Sequence, residues 1–158
     1  AGFDGEVVRN TNRVKERFKS NLAYILGVII TLFNYKKKDV LLEIDDKSYE
    51  RKLVLLAVGH GNYYGGGMLI LPGAEIDDGY LHLCLVRDAS MITLLRLFPT
   101  IFKGKHVKLK KYVEIFRAKK VTIKSQEGIT INYDGEIREN QKEIVFTLSS
   151  QKLPVICK

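Results

Sequence analysis

The chain has 158 residues, of which 46% are hydrophobic and 28% charged, enough apolar content for one buried core and too much for an intrinsically disordered segment. Two cysteines, Cys84 and Cys157, exclude a disulfide framework and a CxxC zinc site, so a reducing, cytosolic setting is expected. The net charge of +8 resides in one region: between Lys103 and Lys124 nine Lys or Arg face a single acid, Glu114, which points to an anionic partner.

In chain order, Ala1-Gly2-Phe3 opens without Met and without a helix or strand start signal, and reads as the beginning of a fragment of a longer protein. Asn10-Thr11-Asn12 supplies N-cap residues, and Val14, Phe18, Leu22, Ile25, Ile29 and Leu32 follow at helical spacing. This predicts a long helix over 12–33, closed by Lys36-Lys37-Lys38 at the negative end of its dipole. The apolar run within it, Leu22 to Phe33, is about a dozen residues against the roughly 20 that span a bilayer.

Strands follow. Val40–Ile44 and Lys52–Val58 flank Asp45-Asp46-Lys47 and read as a hairpin. Met68–Leu71 and Tyr80–Arg87 are further strands, the latter alternating Leu81, Leu83 and Leu85 with His82, Cys84 and Val86. His82 in that pattern is expected to be at the surface or half buried. Ser90 caps a short helix with Met91, Leu94, Leu95 and Phe98 on one face, which Pro99 should kink or end. Val113–Ala118, Val121–Ile123, Ile129–Ile131, Glu143–Leu148 and Leu153–Ile156 are short strands, with Gln126-Glu127-Gly128 as a turn between two of them. The expected fold is mainly β: one antiparallel β-sandwich domain with a long N-terminal helix and a short one.

Three segments can carry chemistry. Gly59-His60-Gly61-Asn62-Tyr63-Tyr64-Gly65-Gly66-Gly67 follows an apolar strand and lets backbone pass close to a ligand; it lacks a Walker GK[ST], and a flexible hairpin loop is its plain reading. Glu75-Ile76-Asp77-Asp78-Gly79-Tyr80 offers carboxylate and carbonyl oxygens to a hard cation such as Mg2+ or Ca2+, or is an ordinary Asp-Asp-Gly turn. Tyr133-Asp134-Gly135-Glu136 is a hairpin signal whose two carboxylates can also supply a general base and its electrostatic partner. His60, His82 and His106 show no metal-ligand spacing and no paired nucleophile.

The order of these pieces carries more than each alone. Gly2-Phe3-Asp4-Gly5-Glu6-Val7, then a helix, Gly65-Gly66-Gly67, Pro72-Gly73-Ala74, Asp77-Asp78-Gly79-Tyr80-Leu81, Gly104-Lys105-His106 and Asp134-Gly135-Glu136 together resemble the C-terminal domain of the diacylglycerol kinase, sphingosine kinase and bacterial lipid kinase family. The resemblance runs over nearly the whole chain. It implies a β-sandwich that carries the general base and an acceptor-lipid surface. The nucleotide is then bound mainly by a separate N-terminal α/β domain with a GGDGT motif, which this sequence does not contain.

Carried over residue by residue, the resemblance implies a base at Glu136 with Asp134 beside it; either can be the proton acceptor. It implies a Mg2+ held by the Asp78 side chain with the carbonyls of Glu75 and Tyr80, and substrate or loop roles for Gly65, Gly66, Gly67, Glu6 and His106. Where family members often have Asp after Tyr-Leu, this chain has His82, a departure not expected to disturb the metal ligands. Lys103, Lys105, Lys108, Lys110 and Lys111 are the expected membrane-facing cations, since each Lys near an anionic surface contributes roughly 1 kcal/mol.

The implied activity is transfer of the ATP γ-phosphate to a lipid hydroxyl, with ATP and Mg2+ as cofactors. The partners are a lipid acceptor at an anionic membrane surface and a nucleotide; nucleic acid is not expected, and a homodimer is open. The protein would be cytoplasmic and peripheral to the membrane, and this fragment alone would fold but be inactive. The alternatives are an NAD kinase-related domain and a non-catalytic basic β-module that binds anionic lipid or nucleic acid. Against the last, the basic stretch pairs mostly Lys with only Tyr112 and Phe116, a thin supply of stacking aromatics.

Overall fold

The structure, a computed structural model, describes residues 37–64 and 67–149. The helix expected over 12–33, the strand at Leu153–Ile156 and the candidates Glu6, Gly65 and Gly66 lie outside the described residues.

Eight strands and one α-helix are described: β1 (Lys38–Ile44), β2 (Lys47–Gly59), β3 (Tyr63–Tyr64), β4 (Met68–Leu69), β5 (Leu81–Arg87), α1 (Met91–Ile101), a 3-10 turn at Lys105–Lys108, β6 (Val113–Ala118), β7 (Lys120–Tyr133) and β8 (Glu136–Thr147). Six of the strands form one antiparallel sheet in the order β6-β5-β2-β1-β7-β8, and β3 pairs with β4 alone. The expected mainly β, antiparallel, sandwich-like class is what the chain adopts.

Each face of the sheet has its own core. Leu42, Leu53, Leu56, Leu83, Leu85 and Ile123 belong to one; Val54, Leu55, Cys84, Val86, Leu97 and Ile101 belong to the other, which α1 covers. The leucine alternation of β5 therefore faces one core, while Cys84 and Val86 face the second, and both sets are buried. Burial pushes the Cys84 thiol up to about 12, so it is a packing group and not a nucleophile. In β2 a register shift against β5 between Leu53 and Leu55 explains why Val54 and Leu55 share a core although they are adjacent: a bulge breaks the two-residue alternation.

The expected turn at Gln126-Glu127-Gly128 is instead inside β7, which runs unbroken from Lys120 to Tyr133. The register against β8 shifts between Lys124 and Ile129, Gly128 takes φ +74, and a Cβ there would lie 3.0 Å from the Asn140 Cα. Two strands separated by a bulge read as two strands separated by a turn, because both put Gly in a polar stretch. Beyond this bulge Ile129 and Ile131 join Leu53, Leu56 and Leu83 in one core. The distal half of the β7–β8 hairpin thus lies over the face of the sheet that carries β2 and β5, which makes the architecture sandwich-like.

Ser90 caps α1 as expected, its side chain accepting from the Thr93 N–H; of the two outcomes expected at Pro99, a kink or an end, the helix does not end there but runs on to Ile101. The carbonyl that loses its partner is that of Leu95, four residues back, and Leu95 is on the exposed side, where water can serve it. The buried face is Leu94, Leu97, Phe98 and Ile101; Leu95 is not part of it.

Candidate active site

At the end of β2 the chain leaves its pairing with β5 at Gly59 and enters the glycine-rich loop. Asn62 fixes the path of that loop. Its Nδ2 donates to the Ala74 carbonyl at 3.0 Å, and its Oδ1 accepts the Gly73 and Ala74 N–H groups at 2.8 and 3.1 Å. The Leu71 N–H donates to the Asn62 carbonyl at 3.1 Å. A single amide side chain thereby ties the loop to the Pro72-Gly73-Ala74 turn, supplying partners that loop backbone would otherwise take from water.

Facing this loop is the tip of the β7–β8 hairpin. Tyr133 pairs with Glu136, leaving Asp134 and Gly135 as a two-residue turn with φ of 46° and 105°. Both central residues at positive φ match the twist of the flanking strands, which is why Asp-Gly is favoured there. The Gly135 N–H donates to Asn132 Oδ1 at 2.8 Å.

Between the two lies a cavity of about 770 Å³, walled by β2 and Met68, Ile70, Leu71, Ile131 and Phe146. Its polar lining includes Asp134, Asn132 and His60, and His60 Nδ1 is a buried atom with no hydrogen-bond partner among the described residues. An apolar trough with a few convergent polar groups is the usual make-up of a small-molecule site. Such a shape suits an alkyl-bearing molecule with its hydroxyl at the carboxylate end. Of the two expected catalytic carboxylates, Asp134 lines this cavity; Glu136, the first residue of β8, is exposed and does not. The two-residue turn thus places Asp134, and not Glu136, on the cavity side. His60 was visible in the sequence as part of the loop, but no spacing rule pairs it with residues more than seventy positions on.

The Glu75–Tyr80 segment forms a different local structure from the one expected. Asp78 Oδ1 accepts the Tyr80 N–H at 3.0 Å, and Oδ2 accepts from His82 Nε2 at 2.9 Å and from Arg117 Nη2. Burial alone would raise the Asp78 pKa, but the Tyr80 N–H, Arg117 and His82 outweigh it and hold the carboxyl below the usual range. His82 is buried, not at the surface or half buried as expected, because the carboxylate of this turn seats it. Arg117 also lies over the Tyr80 ring, 5.0 Å from its centroid.

A hard cation needs several free oxygens, so a Mg2+ at Asp78 with the carbonyls of Glu75 and Tyr80 would have to displace Arg117 and His82 from Oδ2. The melting temperature of the chain is then expected to be the same in Mg2+ as in EDTA, with Asp78→Asn lowering it equally in both. Thermal stabilisation by Mg2+ that vanishes in Asp78→Asn would show that the metal does displace them.

His106, expected at a substrate or loop position, is fully buried; its Nε2–H donates to the Ile70 carbonyl at 3.0 Å, and burial lowers its pKa. It pins the 3-10 turn to the loop from behind and does not line the cavity. Gly67, at φ +90, sits where the described loop resumes. The basic stretch divides in two: Arg117 pairs with Asp78 and Lys124 with Glu43 at 2.8 Å. Lys103, Lys105, Lys108, Lys110 and Lys111 are exposed, and no ion pair to them forms among the described residues. The one acid of the stretch, Glu114, is held by Arg87 at 2.6 Å and Arg51 at 3.3 Å.

Among protein families, residues 1–157 match the one described as the YegS C-terminal NAD kinase β-sandwich-like domain. A diacylglycerol kinase of Mycobacterium tuberculosis is 35% identical over 136 residues, covering 85% of this chain and 43% of the relative. A diacylglycerol kinase of Staphylococcus carnosus is 30% identical over 131 residues, covering 83% and 42%. A crystal structure described as a diacylglycerol kinase from Bacillus anthracis superposes with a TM-score of 0.55 at 18% identity, covering 89% of this chain and 61% of that one; at that identity the likeness is one of fold. The chain spans less than half the length of the two curated relatives named here.

Proposed function

The chain belongs to the YegS C-terminal NAD kinase β-sandwich-like domain family, and from that premise we propose that it is the acceptor-binding, base-carrying half of an ATP-dependent lipid kinase. The observation that carries this reading is the cavity whose walls are apolar and whose polar lining includes the Asp134 carboxylate. The names of the relatives, diacylglycerol kinases, support the class of acceptor.

In this reading the acceptor's acyl chains lie along β2 and Phe146, and its hydroxyl points to Asp134. The carboxylate accepts the hydroxyl proton as the new O–P bond forms. The bond from the γ-phosphorus to the bridging oxygen breaks, and ADP leaves. ATP arrives with Mg2+ as its companion and is bound mainly by a separate nucleotide domain; no metal is assigned to Asp78. Asn62 fixes the loop wall and the Asn132–Gly135 bond fixes the hairpin tip, which supports the positioning that phosphoryl transfer requires. An enzyme with a lipid acceptor works at a membrane surface, here the cytoplasmic one. The test is transfer of labelled γ-phosphate from ATP to hydroxyl-bearing lipids by the two-domain kinase.

A further inference from the structure

The inward face of α1 is accounted for by Leu94, Leu97, Phe98 and Ile101, yet its outward face is apolar too. Ile92 is 60% exposed, Leu95 41% and Phe102, at the helix C-cap, 44%; Leu109, just beyond the 3-10 turn, is 40% exposed. Ile92, Leu95, Pro99 and Phe102 recur at helical spacing and form one stripe. Arg96 is the only charged residue within the helix. A helix apolar on both faces ordinarily has both covered, and contiguous exposed apolar groups mark an interaction surface.

The charges around the stripe say what covers it. From Ala89 to Val113 there is no acidic residue, while Arg96, Lys103, Lys105, Lys108, Lys110 and Lys111 are all exposed. We propose that the outward stripe of α1, with Leu109, inserts into the interface of an anionic phospholipid bilayer while these cations engage its headgroups. A helix of 11 residues is too short to span a bilayer and suited to lie in its interface. The protruding groups are three aliphatics and one Phe, which penetrate acyl chains well and stack poorly on nucleic-acid bases. A bilayer is thus favoured over RNA as the anionic partner. The inference deepens the lipid-kinase reading, but vesicle binding needs neither ATP nor turnover, so its failure would leave the phosphoryl-transfer test intact.

The chain contains no Trp, so Phe102→Trp introduces a single reporter, with Val145→Trp on β8, also exposed, as the control. Vesicles of phosphatidylcholine with phosphatidylglycerol should shift the emission of the Phe102→Trp chain to the blue and let brominated acyl chains quench it, and leave the control emission unchanged. Pure phosphatidylcholine vesicles should do neither to a comparable extent. In co-sedimentation, Ile92→Ser with Leu95→Ser should weaken binding about tenfold or more, since each buried apolar side chain contributes on this scale. Lys103→Glu with Lys108→Glu should abolish the preference for anionic vesicles. All four residues are exposed, and an unchanged circular dichroism melt confirms the fold of each variant. Binding that depends on the lysines but is indifferent to Ile92 and Leu95, equal shifts at both reporters, or binding to RNA in place of vesicles would each overturn the proposal.

Discussion

Asp134→Asn in the two-domain kinase is expected to lower kcat by about 10²–10⁴, the usual contribution of a general base, with ATP binding and the fold unchanged. Asn keeps the shape of the side chain and its tolerance of positive φ, so the turn at φ 46° survives while the proton acceptor is lost. Glu136→Gln, made alongside, is expected to cost far less, because Glu136 lies outside the cavity lining. Steady-state turnover at saturating acceptor, in an assay limited by chemistry, separates the two. A Glu136→Gln enzyme as impaired as Asp134→Asn would mean that the two carboxylates act as a pair. Wild-type turnover in Asp134→Asn would remove this residue from the mechanism.

Gly128→Val is the substitution expected to cost the fold most for its size. A β-branched residue at φ +74, with its Cβ 3.0 Å from the Asn140 Cα and 3.2 Å from the adjoining carbonyl carbon, meets backbone on both counts and cannot relax by rotating a side chain. The expected loss is on the order of 3 kcal/mol, within the range for strained backbone, read as a fall in the denaturant midpoint. The distal half of the hairpin carries Asp134, so turnover should fall as well. Gly61→Ala is the contrast, since a Cβ there meets nothing within 4 Å; its denaturant midpoint should stay close to wild type. Equal stability of the Gly128→Val and wild-type chains would mean that the bulge does not hold the hairpin in place.

Much of this arrangement was legible in the residues. The alternation of Leu81, Leu83 and Leu85 placed β5, Ser90 marked the start of α1, and Asp134-Gly135 marked its hairpin, because each is a local rule of backbone and pattern. Gly128 misled, since a bulge and a turn draw on the same residue for the same positive φ. The helix face misled at Leu95, where an outward apolar residue is indistinguishable by spacing from an inward one. At Asp78 what the residues did not reveal was its partners. The turn chemistry was visible, but the guanidinium of Arg117, brought in by β6 from 39 positions away, could be located only by strand pairing. The convergence of His60 with Asp134 at one cavity is likewise a product of the folded-over hairpin, which no periodicity encodes.

The central claim is that an acceptor hydroxyl meets Asp134 at the end of an apolar cavity and receives the γ-phosphate of ATP. It is tested most directly by incubating the two-domain kinase with γ-labelled ATP and, in turn, short-chain diacylglycerol, a sphingoid base, phosphatidylglycerol and NAD. Label in a lipid product, lost in Asp134→Asn, is the predicted result; label in NAD with none in any lipid would contradict it.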